Sequence, residues 1–405
     1  MRASVLTIGD ELLSGNTVNT NASWISQNLT LAGCNVIRHF TVCDEEQEIK
    51  DSLTLLFELP IDLIVCTGGL GPTDDDITRK SIFNYFNSDS EFDEDYWANL
   101  QRRFSLIGHE ISESNKSQAI IPSNGKVFPN SIGSARGLSF KKDNITLMAL
   151  PGVPSEMESM MKETVLPWVR KNSKQTTFSI NIRTTGVPES MLFENISVNN
   201  DNIDSNVKIG YYPSLFGVDI RISGDDKISI ERVKKLVVNN VGSHIYTIGE
   251  DSLEEIVVNK LLKNNLTIST IESCTGGLIG HRITQVPGSS SVYSGGIISY
   301  SNEAKLNQVK VNSNILKNHG AVSEEVALEM AKNGRNIFNS DICVSVTGIA
   351  GPGGGTKDKP VGLVYVGYCT SSILKVDKYS FHSNRKSNKL RTSQAVLNLI
   401  MKNIE

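Results

Sequence analysis

"IDLIVCTGGLGPTDDDITRK", residues 61–80, decides the fold. Its apolar run, Leu63–Cys66, is unbroken and short. A strand buried on both faces reads this way, whereas a half-exposed strand alternates. A glycine-rich turn follows, and a helix is expected to begin near Asp76. Upstream, "ASVLTIG" reads as a strand and "NASWISQNLTLAG" as a helix closed by Gly33. "NVIRHFTV" is a second strand and "EEQEIKDSLTLLFEL" a second helix. This βαβαβ order predicts an open parallel sheet covered on both faces. The stretch 91–140 is more polar and irregular. The pattern then returns with "ITLMALPG" and a helix near 154–170.

Residues 172–250 change character. "TTFSINIRTTG", "VKIGYYP" and "GVDIRISG" read as strands and "SIERVKKLVVNNVG" as a helix. This predicts a small α+β domain between two larger ones. After 251 the alternation resumes: helix "SLEEIVVNKLLKNN", strand "LTISTIES", helix "GGLIGHRIT" and strand "SGGIISYS". A helix over 323–338 has Ser323 as N-cap, with Glu324 and Glu325 in its first turn. "DICVSVTG" and "VGLVYVGYC" are strands, and 385–403 is the last helix. The expected fold class is α/β. Two three-layer domains with open, mostly parallel sheets (1–171 and 251–405) are joined by the α+β domain at 172–250.

The chain has 405 residues and a formal net charge of −4, so no basic footprint for nucleic acid is present. Its six cysteines show no C-x-x-C spacing, which signals neither zinc nor a disulfide framework. The start, "MRASVLTIGDELLSG", lacks the apolar region of a signal peptide, and no apolar stretch approaches bilayer length. A cytoplasmic protein without a membrane partner is expected.

Two loops carry chemistry. In the first domain Gly68, Gly69 and Gly71 let backbone amides approach an anion, and a following helix N-terminus favours phosphate. Asp74, Asp75 and Asp76 suit a hard divalent cation, and equally suit a helix dipole with no metal. Asp10 and Glu11, just after the first strand, face the same crevice in an open sheet. In the last domain "LTISTIESCTGGLIG" places Ser273 at a strand-to-helix turn, where backbone amides can form an oxyanion hole. "GGIISYSNEAKL" offers Tyr300 and Lys305 as relay and base; a desolvated lysine can serve as base. Ser273 as a mere cap of the next helix fits the pattern equally well. The loop "VTGIAGPGGGTKDKPVG", 346–362, can wrap a phosphate through its amides, and it carries Lys357 and Lys359.

"IGDELLSGNTVNTNASWI", "TGGLGPTDDDIT", "NKSQAIIP" and "ALPGVPSEM" resemble the amino-terminal, molybdopterin-binding-like domain of the CinA family. "ESCTGG", "YSNEAK", "HGAVSEEVA" and "TGIAGPGGG…KPVG" resemble its carboxy-terminal domain, and the middle segment its KH-like domain. The resemblance implies a bifunctional hydrolase of pyridine-nucleotide recycling and a homodimer. The last domain would deamidate nicotinamide mononucleotide (NMN) to nicotinate mononucleotide and ammonia, without a cofactor. Ser273 would be the nucleophile, with Tyr300 and Lys305 assisting. Thr275, Gly276, Gly277, Thr347, Gly348, Gly351, Gly354 and Lys359 would bind substrate. The first domain would cleave ADP-ribose to AMP and ribose 5-phosphate with a divalent cation (Mg, Mn or Co). Glu11, Asp75 and Asp76 would hold the metal, and Gly68, Gly69, Gly71 and Thr73 the substrate.

Two departures stand out. Asp10 adds a negative charge where a small polar residue is expected, and "FHSNRKSNKLR" keeps Arg385 but lacks the glycine and aspartate of an F-x-G-D-R turn. The middle segment has no G-x-x-G loop, so a spacer or dimer element is expected rather than a nucleic-acid module. Alternatives are a first domain that binds a nucleotide or pterin without turnover, and a non-enzymatic partner in DNA uptake or repair.

Overall fold

A computed structural model describes residues 1–173, 178–197, 204 and 206–404; the first residues of the expected strand "TTFSINIRTTG" lie outside these. The chain forms two compact units, Met1–Phe178 and Ser179–Glu405.

The first unit is built on strands β1 (Arg2–Ile8), β2 (Asn35–Val42), β3 (Leu63–Thr67), β6 (Lys126–Phe128), β7 (Gly137–Lys142) and β8 (Ile145–Leu150), in the order β2-β1-β3-β8-β7-β6. A separate ribbon pairs β4 (Ser90–Phe92) with β5 (Ile120–Pro122) within the polar stretch. The centre of the six-stranded sheet is parallel and its β8-β7-β6 side antiparallel. Successive side chains of β1 serve opposite faces, as the two-residue strand period demands. Ala3 and Val5 pack with Ile25 and Leu29 of helix Thr20–Leu31 and with Met157 and Met160. Leu6 and Ile8 pack with Ile49, Leu53 and Ile82 on the other face.

The second unit holds two sheets. The smaller has the order β10 (Lys208–Pro213), β11 (Val218–Gly224), β9 (Phe178–Thr184), β12 (Ile245–Ile248), with helices Glu189–Ser197 and Lys227–Val241. The larger has the order β14 (Tyr293–Ile298), β13 (Ile268–Glu272), β15 (Ile342–Gly348), β16 (Leu363–Cys369), β17 (Leu374–Ser380). Its β14-β13-β15 part is parallel, and the β16-β17 hairpin extends it antiparallel. On β13, Ile268 faces helices Leu253–Asn264 and Arg385–Asn403, while Ile271 faces helix Glu324–Phe338. Ser323 caps that last helix, its hydroxyl accepting from the Val326 amide at 3.3 Å.

Both large sheets reverse strand order beside their first strand, between β1 and β3 and between β13 and β15. Crevices open at such switch points, outside the carboxyl ends of the strands. Gly68 sits at one of them with φ 111°, and a Cβ there would lie 2.0 Å from the Ile8 carbonyl oxygen, so only glycine lets these strand ends approach.

Three expectations need correction. The helix after the first glycine loop is Thr78–Tyr85 and does not start at Asp76, because Asp76 is held in the preceding turn by Thr73. The helix after Ser273 starts at Leu278, so Ser273 is not its cap. Strand β17 went unread: its sequence, LKVDKYS, scatters charges over both faces, as edge strands do.

Gly334 offers a packing test. Alanine in mid-helix normally gains about 1 kcal/mol over glycine. Here its Cβ would lie 2.3 Å from Ile271 Cγ1 and 2.7 Å from Cys343 Sγ. Gly334→Ala should instead destabilise the second unit by about 1–3 kcal/mol, read as a lower urea midpoint.

Candidate functional site

The crevice of the larger sheet in the second unit has a volume of ≈ 270 Å³. Ser273 enters it directly after β13, and Thr347 and Gly348 at the end of β15. Tyr300 and Lys305 reach it from beyond β14, and Gly351 and Gly354 from the long loop.

Lys305 is 1% exposed, and its Nζ lies 3.0 Å from Ser273 Oγ and donates to the Ser299 carbonyl at 2.8 Å. No carboxylate bonds it among the described residues. Burial therefore lowers its pKa below the usual 10.5, with Cys274 opposing weakly. A neutral Lys305 can give one N–H to Ser299 and turn its lone pair to the Ser273 hydroxyl. Cys274 is buried, which pushes its thiol up to about 12 and makes it a poor nucleophile at neutral pH.

Glu272, which sequence reasoning passed over, frees Ser273 for this role. Its buried carboxylate accepts from the amides of Gly277 (3.0 Å), Ile279 (3.1 Å) and Gly280 (2.9 Å). The helix N-terminus is thus satisfied by the residue before the serine. Gly276 and Gly277, with φ 61° and 91°, make the turn between them and do not line the crevice. Thr275 is fully buried, and its hydroxyl has no partner among the described residues. The amides of Cys274 and Thr275, just after the serine, likewise have no acceptor there. Of the two residues, Cys274 lines the crevice, and Thr275, expected to bind substrate, does not.

Tyr300 is exposed, and its hydroxyl receives a hydrogen bond from Arg385, whose Nη1 also donates to the Gly351 carbonyl at 2.8 Å. The relay expected of Tyr300 is not what the geometry holds: lysine meets serine directly, and the tyrosine is bonded to the arginine at the rim. Lys359 lies outside the crevice and donates to the His319 carbonyl at 2.7 Å, tethering the loop. Thr347 donates to Ala321 O at 2.6 Å.

The first unit has a smaller cleft of ≈ 110 Å³ at its own switch point, where Glu11 and Gly68 meet Thr7, Asn19, Asn21 and Thr67. Asn21 donates to Gly152 O at 2.7 Å, while its buried Oδ1 has no partner among the described residues. Gly69, Gly71, Thr73, Asp75 and Asp76 do not line this cleft. Asp76 Oδ2 accepts from the Thr73 amide at 2.9 Å and from its hydroxyl. Asp10 and Asp44 accept from each other's amides at 3.1 and 3.2 Å. The expected trio Glu11, Asp75 and Asp76 therefore does not form a ligand set. Among the described residues no three His, Cys, Asp or Glu side chains are grouped to hold a metal ion. The residues as placed do not fit the cation.

Asp44, missed in the sequence, does feel this acidic surround. Burial first, then the charges of Asp10, Glu11 and Asp75, raise its pKa above 3.8. Ionised Asp44 thus costs the folded state. The cost is present above the raised pKa and vanishes as pH falls below the unfolded value. Asp44→Asn should raise the melting temperature of the protein at pH 7, by less than about 1 kcal/mol in stability, and the gain should disappear near pH ~4.

Fold and site define an α/β protein with a buried serine–lysine pair at a sheet switch point. Family models match Met-proximal residues 4–171 ("Probable molybdopterin binding domain") and residues 250–404 ("CinA C-terminal domain"). A competence-damage inducible protein of Clostridium novyi (strain NT) is 38% identical over 95% of this chain and 94% of its own. One from Thermoanaerobacter pseudethanolicus is 38% identical over 99% and 98%. The chain belongs to the CinA family. Among solved structures it is similar to the competence/damage inducible protein CihA from Agrobacterium tumefaciens. The identity there is 34%, coverage is 38% of this chain and 96% of that one, and the TM-score is 0.37. Among the described residues no helix is long and apolar enough to cross a membrane.

Proposed function

We propose that the second unit hydrolyses the carboxamide of NMN to nicotinate mononucleotide and ammonia. The observation that carries this is the 3.0 Å approach of buried Lys305 Nζ to Ser273 Oγ, with no carboxylate on the lysine. Neutral Lys305 takes the hydroxyl proton as Ser273 Oγ bonds the amide carbon. The backbone amide of Cys274, which lines the crevice and has no acceptor among the described residues, is the candidate donor to the oxyanion. Lys305 returns the proton to the amide nitrogen, the C–N bond breaks, and ammonia leaves an acyl-Ser273 ester. Water then attacks the ester, giving its proton to Lys305, and the nicotinate product departs with Ser273 restored. Arg385, at the crevice rim, supplies positive charge for the substrate phosphate.

The test is ammonia release from NMN by the full chain. Ser273→Ala and Lys305→Met should each lower the rate by about 10³-fold or more and leave thermal unfolding near wild type for the serine variant. Wild-type rates in Ser273→Ala would overturn the assignment. The rate should rise with pH to a plateau whose low-pH limb lies below an ordinary lysine's, since only neutral Lys305 accepts a proton. Lys305→Arg should abolish activity across that range, because a guanidinium stays charged.

For the first unit the carboxylate arrangement favours the simpler reading, a nucleotide- or pterin-binding module. Its cleft offers the unpartnered Asn21 oxygen to a ligand hydroxyl. AMP release from ADP-ribose with added Mg, Mn or Co decides. No release upholds the binding role, and metal-dependent release that is lost in Asp75→Asn would replace it with pyrophosphate cleavage.

A further inference from the structure

The second unit holds another and larger cavity, of ≈ 590 Å³, that shares no lining residue with the serine–lysine crevice. It lies between the small sheet, the end of β17 and the last helix. One wall is the turn between β10 and β11, with Phe216 at its tip. The facing wall carries Tyr379 and Phe381, whose rings are parallel (6°) with centroids 5.9 Å apart. The floor is helix Arg385–Asn403, which presents Arg391, Gln394 and Asn398 at three- and four-residue spacing and hence on one face.

The polar groups on that floor are not equivalent. Gln394 is already engaged, its oxygen accepting from Arg282 at 2.8 Å and its amide donating to Thr185 at 3.4 Å. Asn398 is not. Its Oδ1 is buried and has no partner, and its Nδ2 makes no hydrogen bond among the described residues. A buried amide oxygen left unpaired is costly, so such a group is a candidate place for another molecule to complete the bonding. Asn398 offers one donor and one acceptor side by side, the pattern that reads the edge of a heterocyclic base. The half-buried aromatic rings offer stacking surface. Exposed Arg391 is suited to a phosphate and Glu189, also on the lining, to hydroxyls. The volume falls in the range of small-molecule sites.

We infer that this cavity is a second ligand site, distinct from the amide-hydrolysing crevice, for an aromatic heterocycle carrying a phosphate, of nucleoside monophosphate class. The base stacks against Tyr379 and Phe381 and is read by Asn398, with Arg391 on the phosphate. The inference does not depend on the proposed amidase activity, and its test needs no turnover.

The probe is AMP, followed by hydrogen exchange on the full chain. Saturating AMP should protect backbone amides in 214–218 and 379–381. Arg391→Ala with Asn398→Leu should remove that protection, while Ser273→Ala should retain it. Tyr379→Leu, which keeps an apolar side chain on the wall, should weaken AMP binding at least 10-fold while the melting temperature of the free protein stays within a few degrees. Absence of protection at these segments, or equal protection in the double variant, would overturn the site. So would protection that follows protein concentration rather than AMP, since the cavity would then be a contact between copies of the chain.

Discussion

The serine–lysine site depends on where one carboxylate goes. Glu272 closes β13 and turns inward to take three amides at the start of the next helix. Charge-assisted bonds of this kind are worth about 1.5–3 kcal/mol each when buried. They fix the turn 273–277 and leave the Ser273 hydroxyl with no backbone duty. With an uncharged residue at 272 the amides of Gly277, Ile279 and Gly280 would lose this acceptor, and the turn that carries Ser273 would lose its anchor.

Lysine burial is the second constraint. A charged ammonium removed from water without a carboxylate partner is costly, and among the described residues its hydrogen-bond partners are the Ser299 carbonyl and the Ser273 hydroxyl. The neutral form is thereby favoured, which is the form a general base needs. The helix bearing Lys305 is short, Asn302–Asn307, and is pinned at its start by the Ser301 hydroxyl, which accepts from Ala304 at 3.0 Å. The cost of burying an amine is offset by the packing of Val309, Val311 and Leu316 that follows.

Much of this was legible in the sequence. The unbroken apolar run at 63–66 marked one buried strand, because a parallel sheet covered on two faces needs continuous apolar side chains, and the β-branched Ile268, Thr270 and Ile271 marked the other. Ser273 and Lys305 were legible because their residue types sit beside glycines and a strand end. The partners that define their roles were not. Glu272 reads as the last residue of a strand until the amides of 277–280 are placed around it. Asp44 and Asp10 stand 34 residues apart and meet only through the parallel register of β1 and β2, which pairs Ile8 with Val42. Arg385 and Tyr300 are 85 residues apart and meet at one rim. Asp76 looked like a metal ligand because its use by Thr73 is a matter of turn geometry that spacing does not encode.

The same architecture therefore carries two clefts of opposite sign. Each lies where a parallel sheet reverses its strand order, so each receives strand ends and loop amides from the same topological cause. Beside the first, Asp10, Glu11 and Asp44 follow β1 and β2, and negative charge gathers. At the second, Arg385 arrives from the start of the last helix and brings positive charge to the rim, while buried Lys305 is favoured in its neutral form. Under the proposed function, an anionic substrate entering the second crevice would meet Arg385. A ligand entering the first would meet Glu11 and the unpartnered Asn21 oxygen. Shared topology thus fixes where the clefts open, while the residues just beyond the strand ends fix the charge each cleft presents.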